Sequence, residues 1–221
     1  MKAIRILLTL LLFVASISCK QEKHLETATV NTDTITQDTL PNPNRKKPYI
    51  KIEDLHTYAD NAPTIERPEN MGKPFDKLIF DKVIAYDYEG SGEPYPSIIE
   101  EGDFNPVVLK QKILNTEQVN KLIKSLTTPS SYGGTSASCF DPHLAFLFYK
   151  DNKIVYTIDI CLDCNRMSTT TEIPAIESFK REYPFGFSLE GKRDICALCR
   201  EFNFYYGSDT YIKKIEKSPF K

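Results

Sequence analysis

Residues 144–161 read LAFLFYK-DN-KIVYTIDIC, two runs of apolar, aromatic and β-branched residues separated by Asp151-Asn152 alone. Asp and Asn tolerate positive φ, and a two-residue connection whose twist matches its flanking strands is a type I′ turn. The stretch therefore predicts a tight antiparallel hairpin. Leu144 to Phe148 is apolar without alternation, as in a strand covered on both faces, and belongs at the centre of its sheet. In the partner strand, Ile154, Tyr156, Ile158 and Ile160 are expected on one face, with Val155, Thr157, Asp159 and Cys161 on the other. Pairing counted across the turn sets residue 143 opposite about residue 160. Cys139 and His143, in CFDPH immediately before the hairpin, are then expected close to Cys161 at its end.

Outward from the hairpin, LIFDKVIAYDY (78–88) is a strand candidate whose alternation puts Leu78, Phe80, Ile84 and Tyr86 on one face. A Gly/Pro/Ser-rich loop follows, and PVVLKQKIL (106–114) is a further strand. Asn115 is a favoured helix N-cap, and Gln118 is placed to reach back to its amide. Val119, Leu122, Ile123 and Leu126 then form an apolar stripe at helical spacing, predicting a helix over about 116–127. A last helix is expected over about 189–203, with Ile195, Leu198, Cys199 and Phe202 in a narrow arc and Cys196 at its edge. Pro63, Pro68 and Pro74 preclude a long helix in 49–74, which reads as an extended arm carrying Ile50, Ile52, Leu55 and Tyr58. The sum is a single α+β domain over 75–210, an antiparallel sheet with its helices on one side, followed by a C-terminal tail, 211–221.

The chain opens MKAIRILLTLLLFVASISCK. Lys2 and Arg5 form a basic start, and the apolar run from Ile6 to Val14 is too short to span a bilayer as a helix. It reads as a cleaved signal peptide, residues 1–18. The ending A-S-I-S-C resembles the bacterial lipoprotein signal, in which the cysteine, here Cys19, is acylated (palmitate among the chains) and becomes the first mature residue. That resemblance implies a lipid-anchored protein of the cell envelope, held in a membrane by several acyl chains. Residues 19–48 are threonine-rich and charged and carry no aromatic, so they are expected to be a disordered tether spanning roughly 30 Å as a coil. His24 lies within it. The charged start after Cys19 resembles the tags of surface lipoproteins of Bacteroidota.

The full chain holds 28 basic and 30 acidic residues; losing Lys2 and Arg5 leaves 26 against 30, a net charge near −4. No basic block stands in the folded part, which argues against a nucleic-acid partner. The partners expected are the membrane, through the N-terminal lipid, and an envelope component of unspecified kind.

Apart from Cys19, five cysteines remain: Cys139, Cys161, Cys164, Cys196 and Cys199. Three chemistries compete for them. Thiol redox at Cys161/Cys164 would need a stabilised thiolate, yet NRMSTTT after Cys164 is a poor helix former and supplies no helix dipole. A structural zinc site could draw on Cys161/Cys164 with Cys196/Cys199, or with Cys139 and His143; such a closed site would leave no open position for catalysis. The third reading, and the leading one, makes them buried thiols or disulfides such as Cys139 with Cys161 or Cys164, which an exported address permits. It requires no cofactor. His143 is unaccompanied by Gly-x-Ser-x-Gly or His-Glu-x-x-His patterns and reads as a histidine bonded to a loop carbonyl. Glu100, Glu101 and Asp103 lack calcium-loop spacing. No catalytic residue is assigned.

The motifs CFDP before one strand and ICLDC ending the next resemble an uncharacterised bacterial domain with C-[FY]-[DN]-P and I-C-x-x-C motifs, over about residues 75–205. The resemblance implies a recurrent fold and transfers no mechanism. The function expected is a membrane-tethered lipoprotein with a non-catalytic binding or structural domain. The alternative is an envelope thiol-redox or metal-dependent protein using Cys161/Cys164.

Overall fold

In chain order the elements are α1 (Ile52–Asp60), β1 (Lys82–Tyr88), β2 (Ile99–Glu100), β3 (Asp103–Phe104), β4 (Val108–Ile113), α2 (Thr116–Thr127), β5 (Tyr132–Thr135), β6 (Leu144–Lys150), β7 (Lys153–Cys161), β8 (Arg166–Thr169), α3 (Pro174–Glu177), β9 (Phe185–Phe187), α4 (Leu189–Glu201) and α5 (Asp209–Lys217). They come from a computed structural model that describes residues 48–90, 97–177 and 185–217. The expected signal peptide, Cys19 and the expected tether through residue 47 lie outside the described residues.

The sheet has the order β4-β1-β6-β7-β8, with every neighbouring pair antiparallel. Strand β6 is central, as its unbroken apolar run requires, and the fold is α+β. Asp151 and Asn152 both take positive φ, 50° and 60°, the conformation of a type I′ turn. One feature of the hairpin departs from the simple count. Phe148 pairs with Tyr156 while Tyr149 pairs with Ile154, so Val155 bulges from the ladder and Leu144 faces Ile160. The extra residue flips every side chain before it to the opposite face. Ile154 consequently packs with Ala145, Leu147 and Tyr149, away from Tyr156, Ile158 and Ile160, with which it was expected to align.

A similar break corrects β1. The strand starts only at Lys82, after a bend at Asp81, so Leu78 and Phe80 join one core while Ile84 and Tyr86 face the other. All seven residues of β1 are buried, because it is paired on both edges and covered on both faces.

Helix α2 starts as its sequence requires: Asn115 Oδ1 accepts the Gln118 N–H at 2.9 Å, and Gln118 Oε1 accepts the Asn115 N–H at 3.1 Å. Its stripe of Val119, Leu122, Ile123 and Leu126 is buried. Helix α4 is capped by Ser188 Oγ, which accepts the Gly191 N–H at 3.1 Å, and buries Ile195, Cys196, Leu198 and Cys199. Both helices pack with Phe146, Phe148, Tyr156, Ile158 and Ile160 on one side of the sheet.

The other side is covered too. The segment expected as an extended arm contains α1, which lays Leu55 and Ala59 over Ile84, Tyr86, Ala145 and Leu147. Its prolines all follow the helix and do not interrupt it. Fully burying Leu55 favours folding by roughly 1.5–3 kcal/mol. At the C-terminal end of α1 the buried Lys82 ammonium donates to the Ala59 carbonyl at 2.7 Å and also to Asn152 Oδ1. A cation is favoured there by the helix dipole. Helices therefore lie on both sides of the sheet, not on one, and the described part of the compact unit includes the segment before Phe75. The expected tail is helical as far as Lys217: α5 buries Tyr211 and Ile215 against the α4 side. Among the described residues no helix is long and apolar enough to cross a membrane.

Candidate functional site

The end of β7, the start of β6 and the irregular loop 136–143 meet at one corner. The loop is held to the β7–β8 turn by the Ala137 N–H, which donates to the Cys164 carbonyl at 2.8 Å, and by Arg166, which donates to the Ser138 carbonyl at 2.9 Å. Asn165 makes the turn with a φ of 54° and donates to the Thr135 and Phe187 carbonyls at 2.8 and 2.9 Å. Strand β9 packs so closely there that a Cβ on Gly186 would lie 2.0 Å from the Asn165 carbonyl oxygen.

Cys139 Sγ lies 2.8 Å from Cys164 Sγ, and the Cys164 N–H donates to Cys161 Sγ at 3.1 Å. Cys161 and Cys164 are buried, whereas Cys139 is exposed. The corner thus gathers Cys139, Cys161 and Cys164, as the hairpin register implies. His143 stands just beyond them, facing Tyr88 and Gly90. Its Nδ1 lies 3.1 Å from the Tyr88 carbonyl and 3.3 Å from the Gly90 N–H, bonding the first as a donor or the second as an acceptor according to tautomer. Its Nε2 is 3.7 Å from Asp141 Oδ2.

Cys196 and Cys199 sit within α4, where both are buried. Burial pushes the Cys196 thiol up to about 12 and the Cys199 thiol well above its ordinary value. Burial also raises Cys164, against the opposing bond from Cys139. Cys139 is raised chiefly by its bond to Cys164. These shifts favour neutral thiols over thiolates. Among the described residues no three His, Cys, Asp or Glu side chains converge as a metal ion requires.

Beside His143 a cavity of about 300 Å³ is lined by Pro48, Asp87, Tyr88, Glu89, Leu109, His143 and Tyr205. Asp87 is 4% exposed and its Oδ2 accepts the Tyr205 N–H at 3.1 Å. Burial raises its carboxyl above the usual range, partly opposed by that bond, Lys110 and His143. Tyr205 is half exposed at the cavity, and its ring joins Tyr206 and Tyr211 in an aromatic group, with Tyr206 and Tyr211 centroids 4.7 Å apart. The Leu162 N–H donates to Tyr206 Oη at 3.1 Å, so this group also backs the cysteine corner.

Asp87, Tyr205 and Asp159 are absent from the candidates read in the sequence. Asp159 is buried and accepts from the Tyr88 hydroxyl at 2.8 Å, the Ser97 hydroxyl at 2.9 Å and the Ile98 N–H at 3.2 Å. The available signal was a lone acid inside each apolar strand, YDY and IDI. A charge in such a strand must find partners when it is buried. Compared with known proteins, the chain matches no family model, no curated protein and no solved structure.

Proposed function

We propose that the chain is a lipid-anchored lipoprotein of the cell envelope, tethered to a membrane through Cys19, whose α+β domain serves by binding and not by turning over a substrate. The observation that carries the second half is the state of the sulfur corner. Cys161 and Cys164 are buried, and the shifts at Cys139, Cys164, Cys196 and Cys199 all favour the neutral thiol. Thiol–disulfide catalysis needs the reverse: an exposed sulfur with a lowered pKa. A structural zinc would need four donors around one point, and the sulfur contact observed joins two. The cavity beside Asp87, His143 and Tyr205 supplies a concave surface with a few convergent polar groups, the usual form of a binding site. The partner is an envelope component; no nucleic acid is part of this reading.

The anchor is tested by expressing the full chain in a bacterial host with a clickable palmitate analogue. The wild type is expected to carry label and to sediment with membranes until detergent is added, and Cys19→Ala to lose both properties. Unlabelled wild type, or a labelled C19A chain, overturns the anchor. The binding reading is tested by an insulin-reduction assay, in which turnover above background overturns it.

A further inference from the structure

We propose that Cys139 and Cys164 are the site of a covalent cross-link, an intrachain disulfide that ties the loop 136–143 to the β7–β8 turn. It deepens the structural role given to the sulfur corner and takes its oxidant from the envelope address proposed above.

Three observations carry it. The two sulfurs are 2.8 Å apart, within about 1 Å of bonding distance, so closure needs only a small local adjustment. The two segments are already tied, by the Ala137 N–H to the Cys164 carbonyl and by the Arg166 side chain to the Ser138 carbonyl, so the pair is held together before any bond forms. The exposures are also unequal: Cys139 is open to solvent while Cys164 is buried behind it. An external oxidant therefore meets one member of the pair first. Cys161, though adjacent, is fully buried and its sulfur accepts the Cys164 N–H. Cys196 and Cys199 lie inside the packed face of α4.

The chemistry is a thiol–disulfide exchange with an external disulfide, either a small one such as oxidised glutathione or that of an envelope oxidase. The Cys139 thiolate attacks the external disulfide, forming a mixed disulfide and expelling one thiolate. The Cys164 thiolate then attacks Cys139 Sγ and expels the second. Two S–H bonds are lost and one S–S bond is formed; two protons and two electrons pass to the oxidant, which leaves as two thiols.

The bond has a purpose in the fold. The loop 136–143 contains no helix or strand, yet it carries His143 to the cavity, with Asp141 Oδ2 3.7 Å from His143 Nε2. Cross-linking Cys139 anchors that loop at its middle.

The test uses full-length protein purified from envelopes without reductant, blocked with iodoacetamide under denaturing conditions and examined by intact mass and peptide mapping. The expected result is an intact mass showing carbamidomethyl groups on three cysteines where the all-thiol chain would carry them on five, a linked Cys139–Cys164 peptide pair, and alkylation of Cys161, Cys196 and Cys199. Cys161→Ser is expected to keep the link and Cys139→Ser to lose it, exposing Cys164 to alkylation. A second sample, the chain from residue 20 onward made in the cytosol without the export signal and then incubated with oxidised glutathione, separates the link from the address. A link formed there but missing from the envelope sample supports the cross-link and counts against the oxidising address. Alkylation of all five thiols in both samples, or a link between any other pair, overturns the proposal.

Discussion

Asp159 lies near the end of a strand whose neighbours are apolar, and three donors converge on its carboxylate. Burial outweighs those bonds and leaves its pKa raised, as it does for Asp87. The folded state then holds a proton more readily than the unfolded chain, whose aspartates titrate near about 3.9. Stability contributed by these groups is full below that value and falls as pH rises toward the raised folded pKa. Urea unfolding followed from pH 4 to 7 is expected to show this decline, and Asp159→Asn to flatten it. The same substitution is expected to lower stability at every pH by about 1–3 kcal/mol, because an amide N–H would face one of the three donors. Gly90 is a second single-residue constraint. A Cβ there would stand 1.7 Å from Asp141 Oδ1, an oxygen buried without a hydrogen-bond partner among the described residues. Gly90→Ala is expected to cost about 1–3 kcal/mol in thermal or urea unfolding as Asp141 is displaced.

At the scale of the element, the β6–β7 hairpin depends on two positive φ values and one bulge. Asp151→Val puts a β-branched residue at a φ of 50° and is expected to cost about 1–2 kcal/mol by urea titration. Asp151→Gly, which relieves the backbone, is expected to be near neutral. The hairpin was legible because its turn chemistry and apolar runs agree within a single stretch of chain. The bulge was not: Val155 is an ordinary strand residue, and it is displaced by what its neighbours pack against. The capping box of α2 was legible for the same local reason. The loop 136–143 is the opposite case, held by bonds to residues some 25 positions away. Breaking a Cys139–Cys164 bond there is expected to remove about 3 kcal/mol of stability. Hydrogen exchange before and after reduction is expected to show faster uptake in that loop.

For the whole molecule the decisive fact is that the sheet is covered twice. Helices α2, α4 and α5 close one face; α1 and the β2–β3 ribbon close the other over Ile84, Tyr86, Tyr88, Ala145 and Leu147. A chain begun at Phe75, where the sequence alone would place the domain boundary, uncovers that second face. It is expected to bind a hydrophobic dye or aggregate, whereas a chain begun at Lys46 stays monomeric and cooperative by size-exclusion and thermal melting. Leu55→Ala in the longer chain is expected to cost about 2–5 kcal/mol.

What the sequence by itself determined is what neighbouring residues decide together: the type I′ hairpin, the central strand, the capped helix α2 and the mixed α+β class. Turn conformation, side-chain periodicity and capping act over a few residues and need no knowledge of the rest of the chain. Only the tertiary structure decided that Ile154 changes face, that α1 belongs to the core, that Cys139 meets Cys164 and not Cys161, and that Asp87, His143 and Tyr205 share a cavity. Each of these joins segments distant in sequence, where the outcome depends on which apolar surfaces find one another and where buried charges obtain their partners.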